Sequence, residues 1–374
     1  DSRQSRGLGD VYKRQPLKQP LQPYKSTTAR EHLGEYERSS QITVDIHGHI
    51  GVQEAADLVA KHMPADGHAG FKYAPPKTRE INAKQNVDRK EALFGLDERI
   101  AEMDRMLVDV MAISPWPPQL YPPVDPTLGA EVSEIINNEI EKKCAEHPKR
   151  LVGLGAVPLQ DADNANKELD RILAKPCFKG VEIAAKMGSE ELDVRRLDPF
   201  WDRCQQHDIP IFIHPTSFAS DRFSAHYLTN IIGNPLDTTV AMHYLIFGGV
   251  LERFPNLKFV LSHGGAFAAA YAGRMDHAYG ARPDCRENIS MPPSYYLEKF
   301  YPDSLVFTIE QLQYLINRFG PDHVLIGTDY PFDMGEYDPV EHVYQVPGLS
   351  SANRDLICGG NALRLMNMTE EDCK

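Results

Sequence analysis

The sequence predicts an α/β protein, a (β/α)8 barrel, on three observations. Short β-branched or apolar runs alternate with longer amphipathic runs along most of the 374 residues. Eight such short runs occur, each separated from the next by a helical stretch or a long crossover. That alternation gives a parallel sheet with right-handed crossovers. The chain's most reactive side chains fall just after those runs, where a barrel gathers its strand ends on one face. An open doubly wound sheet is the alternative, but no Gly-rich phosphate turn follows the first run.

The first 40 residues are polar and lack an apolar period, so they read as a tail outside the fold, the first ~15 of them as non-native. Removing residues 1–38 is expected to leave activity intact. The barrel is expected over 41–370. Its first strand is 42–46 (ITVDI), ending in His47-Gly48-His49. An insertion over about 51–95 follows; its 52–85 portion has no clean period, and such a segment folds over the active-site end as a lid. Helical spacing returns at Leu96, Ile100, Met103 and Leu107.

The second strand is 108–114, stopped by Pro115-Trp116-Pro117-Pro118. Val132, Ile136, Ile140 and Cys144 form a helical stripe. Strand 151–157, helix 164–173, strand 180–184 and helix 199–207 follow. Strand 209–213 ends in His214-Pro215. Helix 238–253 carries Val240, Tyr244, Phe247 and Leu251 on one face. Strand 257–261 ends in Ser262-His263-Gly264-Gly265. A weaker strand at 305–308 precedes helix 310–318, and the last strand, 323–326, runs into Gly327-Thr328-Asp329.

Composition bounds the function. Hydrophobic content of 42% and charged content of 25% are those of a globular protein able to bury a large core. A net charge of −13 with no basic run excludes nucleic acid and anionic membranes as expected partners. No apolar stretch is long enough to span a bilayer. The N-terminus has no signal-like segment, and six irregularly spaced cysteines read as free thiols, so the cytoplasm is expected.

Side chains two apart in a strand share a face, so His47 and His49 aim together beyond the strand end. His214, His263 and Asp329 follow other strands and converge on the same face. Three imidazoles and one carboxylate suit a divalent ion, Zn²⁺ first and Mn²⁺ or Fe²⁺ next. The expected ligands are His47, His49, His214 and Asp329. That leaves His263 as an imidazole free to move a proton near neutral pH. Strand 180–184 offers Glu182 and no lysine, so one metal rather than two is expected. Glu182 either lines the barrel floor or touches substrate, and His243 reads as a core histidine on a helix face.

A wider pattern surrounds these residues. DIHGHI (45–50), RIAEMD (99–104), LVGLGAVPLQ (151–160), His214-Pro215, GGVLERFPNLKFVLSHGG (248–265), GTDYPFDMGE (327–336) and GGNALRL (359–365) span most of the chain. Together they resemble the amidohydrolase superfamily, in its second amidohydrolase-related family. Within it the pattern is similar to the group of 2-amino-3-carboxymuconate-6-semialdehyde decarboxylases. The resemblance implies a metal-dependent barrel, usually with Zn²⁺, a homodimer, and decarboxylation of an aromatic or unsaturated carboxylic acid by His263 and Asp329. A hydrolase of an amide or lactone in the same superfamily is the alternative. The resemblance also implies that Arg89 holds a substrate carboxylate from the lid, that Arg274 reaches across the dimer interface, and that Phe332 lies beside the substrate. Where the type enzyme has a tryptophan after the His-Pro pair, this chain has Thr216-Ser217-Phe218, which implies a related rather than identical substrate.

Overall fold

The computed structural model describes residues 29–30, 41–63 and 69–373. His68 and all of the polar tail except residues 29–30 lie outside them. Among the described residues, seven parallel strands run in sequence order: β1 (Val44–Ile50), β2 (Val110–Pro115), β3 (Leu151–Ala156), β4 (Phe178–Ala184), β5 (Pro210–His214), β6 (Lys258–Leu261) and β7 (Tyr301–Pro302). Each pairs with the next, as right-handed βαβ units do.

The last two strands each differ from expectation. Residues 305–308 are not a strand; the ladder partner of β6 is the two-residue β7, and Thr308 instead caps helix Ile309–Phe319 through its side chain. Residues 323–326 do not form a continuous strand either. Two isolated bridges, Asp303 to Leu325 and Gly48 to Tyr330, set this extended backbone between β7 and β1. Its bonds to β1 include Ile46 N–H to Ile326 O at 3.0 Å and His49 N–H to Tyr330 O at 2.8 Å. The ring therefore meets at a seam where one partner is irregular.

Inside the ring, Val44, Ile46, Val110, Ala112, Val152, Leu154, Phe212 and Val260 form one buried apolar layer. Outside it, the alternate residues of the same strands pack on the helices, among them Met111, Ile113, Ile211 and Phe259. This is the period-2 division that a barrel strand buried on both faces requires. Glycine permits close helix contact: a Cβ on Gly153 would lie 2.7 Å from Ile140.

Helix Pro126–Glu146 shows how sequence sets these elements. Asp125 accepts hydrogen bonds from Thr127 and Leu128 N–H, Pro126 occupies the first turn, and Leu128, Val132, Ile136, Ile140 and Cys144 are its buried stripe. The expected helix 238–253 is divided into Asn234–Phe247 and Val250–Arg253 by Gly249, whose φ is +70°. Its buried face is Ala241, Met242, Leu245 and Ile246, so Tyr244 points outward. Among its described residues, the segment after β1 carries four helices, Gln53–Val59, Ala69–Lys72, Pro76–Asp88 and Lys90–Phe94. Helix Pro76–Asp88 lacks an apolar stripe, burying only Thr78 and Gln85, which is why the sequence shows no period there.

Candidate active site

β1 does not end before its histidines; it carries them. Regular alternation would place Ile46 and His47 on opposite faces. A register irregularity between Asp45 and Gly48 shifts the pleat. Ile46 joins the inner apolar layer, while His47 and His49, one level higher, face the other imidazoles at the ring's mouth. A bulge re-aims side chains in this way. His214 needs no such device: it stands two residues after Phe212 on β5, so it shares that residue's inward face. His263 and Asp329 leave their segments with φ of 55° and 57°, a left-handed conformation that costs a non-glycine residue on the order of 1 kcal/mol.

These five side chains converge. His47 Nε2 lies 3.0 Å from His49 Nε2 and 3.3 Å from Asp329 Oδ1. His49 Nε2 lies 3.2 Å from the same oxygen, and His263 Nε2 lies 3.5 Å from Asp329 Oδ2. The His214 ring centroid is 4.9–5.2 Å from those of His47, His49 and His263. One donor atom each from His47, His214, His263 and Asp329 falls within a mutual 4.8 Å.

The arrangement behind the rings fixes which nitrogen faces inward. His47 Nδ1 donates to Asp303 Oδ2 at 2.7 Å, His49 Nδ1 to the Pro115 carbonyl at 3.0 Å, and His214 Nδ1 to the Pro215 carbonyl at 2.9 Å. Each neutral ring then carries its lone pair on Nε2, directed at the centre. His214 Nε2 and Asp329 Oδ1 are buried without a hydrogen bond. Buried orphans of this kind call for a partner that accepts electron pairs, and outer-shell bonds to Nδ1 are the usual support of metal-binding imidazoles. The donor set therefore fits a divalent ion.

In the metal-free site the electrostatics divide the rings, His47 holding a proton that an ion would displace while His49 and His214 stay neutral. Burial lowers the pKa of His47, but Asp329 and Asp303 outweigh it and push it up to about 10. Burial, with the charge of His47, takes His49 down to about 4 against the pull of Asp329, and burial with three neighbouring imidazoles holds His214 well below its ordinary value. Burial would raise Asp329, yet His47, His263 and His49 hold it well below the usual carboxylate range. Glu182 is fully buried 3.7 Å from His49 Nδ1, and burial pushes it up to about 8. It thus stands against a histidine on the ring's inner wall and does not line the cavity.

Asp303 and Asp45 carry weight that the sequence does not advertise. Asp303 Oδ1 accepts from Gly264 and Leu305 N–H, tying β7 to the turn after His263. Asp45 accepts from His47 N–H, Thr328 N–H and the Thr328 hydroxyl, fastening β1 to the loop that carries Asp329.

A cavity opens over the cluster, lined by His214 and Asp329 below and by Arg89, Trp116, Tyr227 and Phe332 above. Arg89 is buried, with its guanidinium carbon 5.5 Å from the Phe332 ring centroid. Trp116 and its prolines, beyond shaping a turn, form part of this wall. Arg274 lies exposed on helix Ala272–Ala281 and does not line the cavity of its own chain. His243 is half-buried, donating to the Thr239 carbonyl at 2.6 Å and stacked on Phe247. His62 and His226 are exposed.

Fold and site together define a parallel α/β barrel protein with a buried histidine–aspartate centre at its strand ends. The amidohydrolase family model matches residues 44–367, and the chain belongs to that family. It is 31% identical over 335 residues to 2-amino-3-carboxymuconate-6-semialdehyde decarboxylase of Dictyostelium discoideum, covering 87% of this chain and 92% of that one. Its fold is similar to 5-carboxyvanillate decarboxylase from Sphingomonas paucimobilis, with a TM-score of 0.79 at 24% identity over 88% of this chain and all of the other. It is also similar to a dihydroxybenzoic acid decarboxylase from Polaromonas sp. JS666 with bound manganese and the inhibitor 2-nitroresorcinol. There the TM-score is 0.74 at 22% identity, covering 88% of this chain and 98% of that one.

Proposed function

We propose that the protein is a metal-dependent carboxy-lyase that removes CO2 without net oxidation from an aromatic or unsaturated carboxylic acid. The substrate class is of carboxymuconate-semialdehyde or hydroxybenzoate type. The observation that carries this reading is the convergence of His47, His49, His214 and Asp329, all buried, with half-buried His263 beside them, directly under a cavity that contains an arginine. The decarboxylases similar to this chain support it.

One divalent ion, Zn²⁺ or Mn²⁺, would be held by His47, His49, His214 and Asp329. When bound it supplies Lewis acidity toward an adjacent substrate oxygen. The chain's own residues do the rest. Loss of CO2 leaves an electron pair on carbon, and that carbon must receive a proton. His263, with Nε2 3.5 Å from Asp329 Oδ2, is the group that accepts and returns a proton beside that carboxylate. Asp329 passes it while remaining in the centre. Arg89 grips the substrate carboxylate with its planar donors, and Phe332 lies beside the ring or chain of double bonds.

In this reading the segment 51–95 is the lid, and it contributes Phe71, Gln85 and Arg89 to the cavity wall. Residues 41–370 form the catalytic unit and 1–40 its tail. The enzyme is a homodimer in which Arg274 of each protomer reaches the other's site. Six cysteines without a disulfide accord with the cytoplasm. No helix among the described residues is long and apolar enough to cross a membrane.

The test is a screen of hydroxybenzoic and muconic-type acids against the metal-loaded protein, read as CO2 in the headspace. Gas in proportion to substrate consumed is expected. Ring opening of a lactone or cleavage of an amide without gas would make the protein a hydrolase instead.

A further inference from the structure

The loop after β5 forms one wall of the cavity and carries a donor that the proposed reaction does not use. Half-buried Tyr227 lines that wall, and its hydroxyl makes no hydrogen bond among the described residues. Burial pushes its pKa up; Asp333 and Asp329 push the same way and Arg89 opposes them, so the phenol keeps its proton and stands within electrostatic reach of the centre. Other polar groups of the wall are engaged: Asp333 Oδ2 accepts from Gln85 Nε2 at 2.9 Å, and Arg89 donates to Gln85. The backbone takes an unusual course to place this ring. His226 and Tyr227 are consecutive non-glycine residues with φ of 53° and 61°. The Tyr227 carbonyl accepts from Asn230 and Ile231 N–H, both at 3.0 Å, where the π-turn Thr229–Gly233 begins. Ser217 Oγ donates to the Thr229 carbonyl at 2.9 Å and Phe218 N–H to the Gly233 carbonyl at 3.2 Å, pinning the segment to the chain that leaves His214. Two left-handed residues in succession persist only where their surroundings fix them, and such conformations and π-turns gather at ligand sites.

We propose that Tyr227 is a specificity-determining residue: its hydroxyl donates to an uncharged oxygen of the substrate, a ring hydroxyl or a carbonyl, and favours acids that carry one. This rests on the carboxy-lyase reading of the same cavity. Substrate carboxylates are drawn to the cations of the site, which hold ionised oxygen more strongly than a neutral donor does. An uncharged oxygen competes poorly for those cations and pairs with the phenol instead. An acid without that oxygen leaves the donor unmatched, and such a mismatch is what a polar wall discriminates against. The tyrosine ring has few rotatable bonds and a fixed backbone, so little freedom is lost when the bond forms.

The experiment is titration calorimetry on the full, Mn²⁺-loaded protein with 2-hydroxybenzoate and with 2,3-, 2,4-, 2,5- and 2,6-dihydroxybenzoate, each of which adds one hydroxyl. Wild type is expected to bind at least one dihydroxy acid about fivefold more tightly than 2-hydroxybenzoate. Tyr227→Phe keeps the ring and its packing. It is expected to lose that gain while its affinity for 2-hydroxybenzoate and its metal content stay at wild-type values. No gain for any isomer in wild type, or a gain that survives in Tyr227→Phe, would overturn the proposal. Equal weakening toward all the acids would overturn it too, leaving Tyr227 a structural group. CO2 is read in the same samples. A gain lost in the Phe variant with no gas from any acid would sink the carboxy-lyase reading and leave the role of Tyr227 standing. Gas with an unchanged gain would sink Tyr227 alone.

Discussion

Asp303 Oδ2 lies 2.7 Å from Nδ1 of His47, and neither side chain reaches solvent. The same carboxylate accepts from Gly264 and Leu305 N–H through its other oxygen. It therefore orients one candidate ligand and holds the turn after His263. Asp303→Asn keeps the shape and removes the charge. It is expected to lower metal affinity by about 10–100-fold, as loss of outer-shell partners does. Competition with a chromogenic chelator measures it; unchanged affinity would reduce Asp303 to a turn-holding residue.

The five convergent residues divide by role. Alanine at His47, His49, His214 or Asp329 is expected to abolish stoichiometric metal. His263→Ala is expected to retain the metal and lose at least about 100-fold in turnover. Elemental analysis of each purified variant, beside its rate of CO2 release, separates the roles. Loss of metal in His263→Ala would make it a ligand.

Metal uptake should depend on pH with a definite sign. In the metal-free protein His47 has its pKa raised to about 10, so it is protonated across the neutral range. A metal needs its Nε2 lone pair, so binding must expel that proton. Apparent affinity is expected to rise about tenfold per pH unit as pH climbs toward that pKa, and to flatten above it. Titrations in buffers of different ionisation enthalpy should show about one proton released per ion from this residue. A pH-independent affinity between pH 6.5 and 8.5 would contradict the assignment.

Arg30 changes what is expected of the tail. Its Nη2 donates to Glu336 Oε1 at 2.8 Å and to the Asp338 carbonyl at 3.1 Å, with both side chains buried. Glu336 N–H in turn donates to Thr328 O beside the centre. Cutting after residue 28 is expected to be neutral, whereas cutting after residue 38 or making Arg30→Ala leaves Glu336 with a buried pair broken. That costs on the order of 3 kcal/mol. Urea unfolding of the three proteins would show it, and equal midpoints would restore the tail to dispensability.

Much of the site was legible because its residues obey strand logic. His214 follows an alternating apolar run, so its face is readable from period 2 alone. His47 and His49 were read as following the first strand, whereas that strand continues through them to Ile50, because the irregularity after Asp45 leaves no trace in an otherwise ordinary β-branched run. The seventh strand was misread at 305–308 because β7 is two residues long and includes a proline, too short to show a period. Asp303 went unnoticed for the same reason, since it sits just beyond that element. Arg89 and Phe332 came from family resemblance, and the cavity brings both together. Gln85, Tyr227 and Asp333 escaped because their significance lies in contacts between segments far apart in the chain.

The seam between β1 and residues 324–330 has a consequence for synthesis of the chain on the ribosome. Four imidazoles of the centre have been made once residue 263 is translated, but Asp329 and the backbone that bonds to His47 and His49 come later still. Until they emerge, the nascent polypeptide carries clustered histidines with no carboxylate to complete the set and an uncovered first strand. Selective ion capture accordingly belongs to the finished molecule, and a chain released early would keep its thirst for metal without the means to hold it.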